Sequence, residues 1–156
     1  MATINSVLEP DARDVTAAAL QQTLVDLIDL GLVAKQAHWT VTGPRFRSLH
    51  QQLDEVVDTA RVHADTIAER CAAIGVAPNG LAATVAHLSR VPQPPSGWEN
   101  DDDVVSFFTD AYARVIAGLR ERVTEVGYTD PVSQDLLIAV TADLEKQYWM
   151  FQAERR

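Results

Sequence analysis

The sequence predicts an all-α fold, a bundle of four long helices, and three observations carry that reading. Apolar residues recur at helical spacing through four long segments, Gly and Pro punctuate the chain between them, and no segment alternates with the period of two that a half-buried strand needs. In the first segment, from about Val15 to Thr40, the residues Leu20, Leu24, Leu27, Gly31, Ala34 and His38 fall on one stripe, which His38 closes. Gly43-Pro44 ends that helix. A second runs from Arg45 or Arg47 to Ile74 and stops at Gly75. Pro78 and Asn79-Gly80 then mark a turn, Leu81 to Ser89 forms a short helix, and the proline-rich stretch Val91 to Gly97 is a loop. The third long helix has strong start signals: Asn100 is a good N-cap, Asp101, Asp102 and Asp103 place negative charge in the first turn, and the helix runs to Gly127. Asp130-Pro131 opens the fourth, with proline at its favoured first position, and it continues to about Glu154.

The connection between the second and third long helices spans about 25 residues, enough to cross the bundle, and such a crossover with a short helix inside it is typical of ferritin-like topology. Residues 1–13 read as a flexible N-terminal tail and residues 14–156 as one domain. At 156 residues, 47% hydrophobic and 22% charged, the chain is long and apolar enough to bury a core. Its net charge of −9 disfavours general affinity for nucleic acid or an anionic membrane and suits a protein that attracts cations. Cys71 is the single cysteine, so no intrachain disulfide forms and a reducing cytosol is expected. The first residues lack a basic start followed by an apolar run, and no later stretch approaches eighteen apolar residues. We therefore expect a soluble, cytoplasmic protein with no membrane partner.

The second helix carries a polar stripe: His50, Asp54, Asp65 and Glu69. At 100° per residue these fall at relative angles of about 0°, 40°, 60° and 100°, on one face. They cannot share a metal within one chain, because a rise of about 1.5 Å per residue separates Asp54 from Asp65 by roughly 16 Å. A second copy of the helix, antiparallel about a two-fold axis, sets His50 opposite Glu69, Asp54 opposite Asp65 and Asp58 opposite Arg61. Any two i, i+4 pairs are self-complementary in this way, and such carboxylates on an acidic helix are more often a solvated face. The gap of three near-integral turns, which keeps both pairs on one face, is what singles this stripe out. Imidazoles together with carboxylates suit iron, zinc or manganese, and few protein ligands per metal leave positions open for oxygen, peroxide or water.

The run Lys35-Gln36-Ala37-His38-Trp39-Thr40-Val41-Thr42-Gly43-Pro44, followed by Phe46, Leu49-His50, Asp54-Glu55 and Asp65-Thr66-Ile67-Ala68-Glu69-Arg70, resembles the Dps family of mini-ferritins in its actinobacterial form. Thr84-Val85-Ala86, Leu144-Glu145-Lys146 and Trp149-Met150 extend the resemblance over nearly the whole chain. It implies a ferritin-like four-helix bundle assembled into a hollow homododecamer, with iron sites at two-fold interfaces. Position by position, it implies that His38, His50 and Asp54 are ligands from one subunit and that Asp65 and Glu69 come from the dimer mate. The implied reaction is oxidation of Fe2+ by hydrogen peroxide or O2, with storage of ferric mineral inside the shell and protection against oxidative damage. Trp39 and Trp149 read equally as large core aromatics, although tryptophan beside the site, Trp39 above all, intercepts stray oxidising equivalents in this family. Glu55 and Asp58 are candidates for mineral nucleation on the inner surface. Asp130 and Asp135 resemble acidic positions of the family's three-fold iron-entry pores, while Asp130 also reads as a helix cap. Tyr148 and Cys71 receive no role.

One part of the pattern is missing. Family members that bind DNA rely on basic terminal tails, whereas residues 1–14 hold Arg13 alone against Glu9, Asp11 and Asp14, and the C-terminus offers Arg155-Arg156 only. Weak or absent DNA binding is expected. A mainly structural DNA-protecting assembly and a hydrolase using metal-activated water stand as alternatives from other classes.

Overall fold

A computed structural model describes residues 4–155. The elements follow the chain as α1 (Pro10–Thr40), β1 (Val41–Thr42), α2 (Phe46–Ala73), α3 (Ala82–Leu88), β2 (Glu99–Asn100), α4 (Asp101–Val126) and α5 (Pro131–Glu154). This is the expected ferritin-like arrangement, in which α1 packs chiefly on α2 and α4 on α5, while α3 lies in the crossover against α1. Its core is one apolar cluster that includes Leu20, Leu27, Leu30, Leu53, Leu137 and Phe151. Phe151 stacks on Phe108 at 5.2 Å between ring centroids, with Tyr112 tilted beside it at 5.8 Å.

Two expectations are corrected. The helix α1 starts at Pro10, so part of the expected tail is helical: proline pre-sets the first φ, and Asp11 faces the positive end of the helix dipole. Leu8, just before it, packs against the core. The second correction is a strand pair. Val41–Thr42 and Glu99–Asn100 run parallel, with Val41 opposite Glu99 and Thr42 opposite Asn100. Two residues are too few to show a periodicity; the pairing exists because the crossover returns the chain to the α1–α2 turn.

The ends of α4 and α5 follow the sequence signals. The Asn100 side chain accepts a hydrogen bond from the Asp103 N–H at 3.0 Å, and the Asp130 carboxylate accepts from the N–H groups of Val132 and Ser133. The helix α1 is long and apolar enough to cross a membrane, contrary to expectation. However, 72% of its most apolar eighteen-residue window is buried inside the protein, so that apolarity serves the core. Two buried aspartates on α1 fix the crossover: Asp26 meets Arg122 at 3.0 Å and accepts from the Arg90 N–H, and Asp29 accepts from Ser89 and Gln93.

Candidate metal centre

The helix α2 is unbroken from Phe46 to Ala73, so His50, Asp54, Asp65 and Glu69 share a face as the spacing requires. The α1–α2 turn then folds His38 back onto His50. That turn needs Gly43, whose φ of +116° is open to glycine and where a Cβ would lie 2.9 Å from the Asp101 carboxyl carbon. Arg45 locks the same turn, its backbone N–H donating to Asp101 at 2.8 Å and its guanidinium to Asp102 and to the Glu154 carbonyl.

The two imidazoles stack, with centroids 3.6 Å apart and planes 20° from parallel. Each is held by the other's backbone: His38 Nδ1 lies 2.7 Å from the His50 carbonyl oxygen, and His50 Nδ1 lies 2.8 Å from that of His38. A carbonyl can only accept, so both Nδ1 atoms carry the proton and, in the neutral rings, both Nε2 atoms keep a lone pair. Metal-binding histidines are commonly fixed in this way, with one nitrogen tied to a carbonyl and the other left for the ion. His38 is buried, His50 half-buried, and Phe46 tilts over His50 at 5.1 Å.

Beside the imidazoles, the Lys35 ammonium donates to Asp54 Oδ1 at 2.5 Å, and the same oxygen lies 3.3 Å from His38 Nδ1. The hydrogen bond from Lys35 holds the Asp54 carboxyl below the usual carboxylate range, with the two histidines adding to the effect. Lys35 is the site residue for which sequence reasoning found no role. Its position one turn before His38, on the same face of α1, was the available signal.

Asp65 and Glu69 are exposed, well along α2. Among the described residues of one chain, no three His, Cys, Asp or Glu side chains gather to hold a metal. Asp65 lines an open groove of about 840 Å³ between α1 and α2, whose walls include Leu24, Ile28, Leu32 and Trp39. Two large apolar side chains of this groove face outward: Leu32 is 60% and Trp39 61% exposed. Trp39 is therefore not a core aromatic, and neither is Trp149, which with Glu55 and Met150 lines a second groove between α2 and α5. Asp58 is exposed on α2, Tyr148 is half-buried, and burial pushes the Cys71 thiol up to about 11.

Residues 17–155 match the Ferritin-like domain family. The crystal structure of Mycobacterium smegmatis Dps in its tetragonal form superposes with a TM-score of 0.92 at 30% identity, covering 99% of this chain and 93% of that one. The chain belongs to the Dps family. It is also 41% identical over 137 residues to the fine tangled pili major subunit of Haemophilus ducreyi, covering 88% of this chain and 72% of that protein. Against DNA protection during starvation protein 2 of Deinococcus radiodurans it is 38% identical over 135 residues, which is 86% of this chain. It spans only 56% of that relative's length.

Of the two aspartates that resemble Dps pore positions, Asp130 is already committed. It is 4% exposed, caps α5, is bonded by Ser133 and pairs with Arg70 at 2.7 Å. Burial alone would raise its carboxyl; the hydrogen bonds from Ser133 and Arg70 outweigh that and hold it below the usual range. The cap reading therefore holds for Asp130 in this chain. Asp135, further along α5, is exposed.

Proposed function

We propose that this Dps-family chain is a ferroxidase and iron store whose working unit is a two-fold dimer. The observation that carries the reading is the His38–His50 stack, which leaves two nitrogen lone pairs beside the Asp54 carboxylate, the three expected ligands of one subunit. Lone pairs lie in the ring planes. An ion about 2.0–2.1 Å from one Nε2 in its plane is far out of the other plane, so each imidazole takes its own ion. The stack therefore offers two separate nitrogen donors to a site whose remaining ligands are carboxylates.

Asp65 and Glu69 supply the remaining anionic ligands when a second copy covers the apolar groove, bringing Glu69 of the partner subunit opposite His50 and Asp65 of the partner subunit opposite Asp54. Two adjacent Fe2+ ions each give one electron to a single hydrogen peroxide molecule. With two protons the products are two Fe3+ ions and two water molecules, and no hydroxyl radical is released. O2 is the alternative oxidant. Ferric mineral then collects inside a hollow twelve-subunit shell, with Glu55 and Asp58 as nucleating carboxylates, and Trp39 beside the groove donates electrons to stray oxidants. The acidic N-terminal segment supports storage without DNA condensation at physiological salt. The single cysteine, a buried reduced thiol, suits the cytoplasm.

The test adds Fe2+ anaerobically, then peroxide or O2, while ferric absorbance and retained iron are followed. Wild-type protein should oxidise and retain iron, and the doubly substituted His50→Ala, Asp65→Ala protein should do neither. Equal oxidation and loading by both would sink the site assignment.

A further inference from the structure

We infer that Asp58 and Arg61 are the register lock of the two-fold dimer: each pairs with the other residue of the partner subunit, one ion pair on either side of the axis, and together they set Glu69 of the partner subunit opposite His50. This deepens the dimeric reading above and rests on it. The first support is what the two side chains lack. Both are exposed, and Arg61 stands with Asp65 on the wall of the groove that also holds Leu32 and Trp39. Other polar side chains of α2 have partners within the chain: Asp54 has Lys35, His63 has Asp143 and Arg70 has Asp130. Among the described residues, neither Asp58 nor Arg61 enters an ion pair, not even with each other across a one-turn spacing that permits it.

The second support is where they lie. On the unbroken helix α2, His50 with Glu69, Asp54 with Asp65 and Asp58 with Arg61 share one midpoint, between Thr59 and Ala60. Counted at 100° per residue from His50, Asp58 falls at about 80° and Arg61 at about 20°, on either side of the direction, about 50°, on which the stripe is centred. A two-fold axis along that direction brings each against the other on the partner subunit. Of the three pairs this one is nearest the axis, each residue about 2 Å of helix rise from the midpoint, against about 14 Å for His50 and Glu69. Covering the groove takes water from both charges, so each then needs an opposite charge beside it. A slip of one turn in one direction sets Asp58 against Asp65 of the partner subunit, and in the other against Val57 of the partner subunit. Neither slipped register satisfies both charges, which is how charge placement selects one dimer over its neighbours. A carboxylate paired at the axis is not free to nucleate mineral, which leaves that role to Glu55.

Sedimentation of the full-length protein over a dilution series tests the lock without iron. Asp58→Arg and Arg61→Asp each set like charges together on both sides of the axis. Either should raise the concentration at which the assembly half-dissociates at least about tenfold, while circular dichroism shows the helices intact. Combining Asp58→Arg with Arg61→Asp restores opposite charges in the same places and should recover most of that loss. Single variants that assemble like the wild type, or a combined variant no better than either single one, would overturn the lock alone. Wild-type protein that stays monomeric would overturn the lock and the dimeric reading together. Iron oxidation measured on the same proteins separates the two: a wild-type dimer that oxidises no iron would sink the ferroxidase reading but not the lock, and full oxidation by a variant that stays monomeric would sink the shared site.

Discussion

Asp65 on α2 and Asp130 at the start of α5 are the same residue type on helices of one bundle, and the structure uses them in opposite ways. Asp130 is buried, and its carboxylate meets two backbone N–H groups, the Ser133 hydroxyl and the Arg70 guanidinium. Asp65 is exposed on the wall of an apolar groove. The first carboxylate is consumed by the fold. The second is available to a ligand. A carboxylate's place in the packing, more than its place in a motif, separates stability from function.

The largest expected effect breaks that contrast at its structural end. Asp130→Ala removes a cap and leaves the partly buried Arg70 without its partner, so the unfolding free energy should fall by about 3 kcal/mol in denaturant titration. Iron oxidised per folded chain should be unchanged. A loss of oxidation with no loss of stability would reverse the assignment.

A smaller effect appears in acid. The Asp101 carboxyl is held below the usual range first by the Arg45 backbone N–H and then by its guanidinium, and Asp130 is held low by Ser133 and Arg70 against its burial. Folded-state values below the unfolded ones mean that this stabilisation is complete above the ordinary aspartate value, about 3.9, and is lost as pH falls through the folded values. Urea midpoints measured from pH 7 down to pH 3 should drop, and Asp130→Asn should flatten the drop. An unchanged slope in that variant would remove Asp130 from the account.

The smallest effect sharpens the functional end. Asp65→Asn should change the stability of the chain's own fold by no more than about 0.5 kcal/mol, as expected of a surface position, while iron oxidation falls with it. A destabilisation matching that of Asp130→Ala would show that the two carboxylates do not differ as argued.

Much of this was legible because local rules governed it. Asn100 and Asp130-Pro131 announced the starts of α4 and α5 through capping chemistry, and Gly43-Pro44 announced the turn that brings His38 to His50. The stripe on α2 followed from helical periodicity alone. The β1–β2 pair was not legible, since it joins segments 58 residues apart through hydrogen bonds that two-residue strands cannot signal. Trp39 and Trp149 were equally opaque, because hydrophobicity does not say whether a large aromatic faces the core or a groove.

By itself, then, the sequence determined the four helices, their ends and the face on which His50, Asp54, Asp65 and Glu69 lie, because capping and a 3.6-residue period act within a few residues of chain. Only the tertiary structure decided which groups those side chains meet. The His38–His50 stack, the Lys35–Asp54 pair and the capture of Asp130 by Arg70 each form across two elements. Their geometry depends on how those elements pack, and no local pattern encodes it.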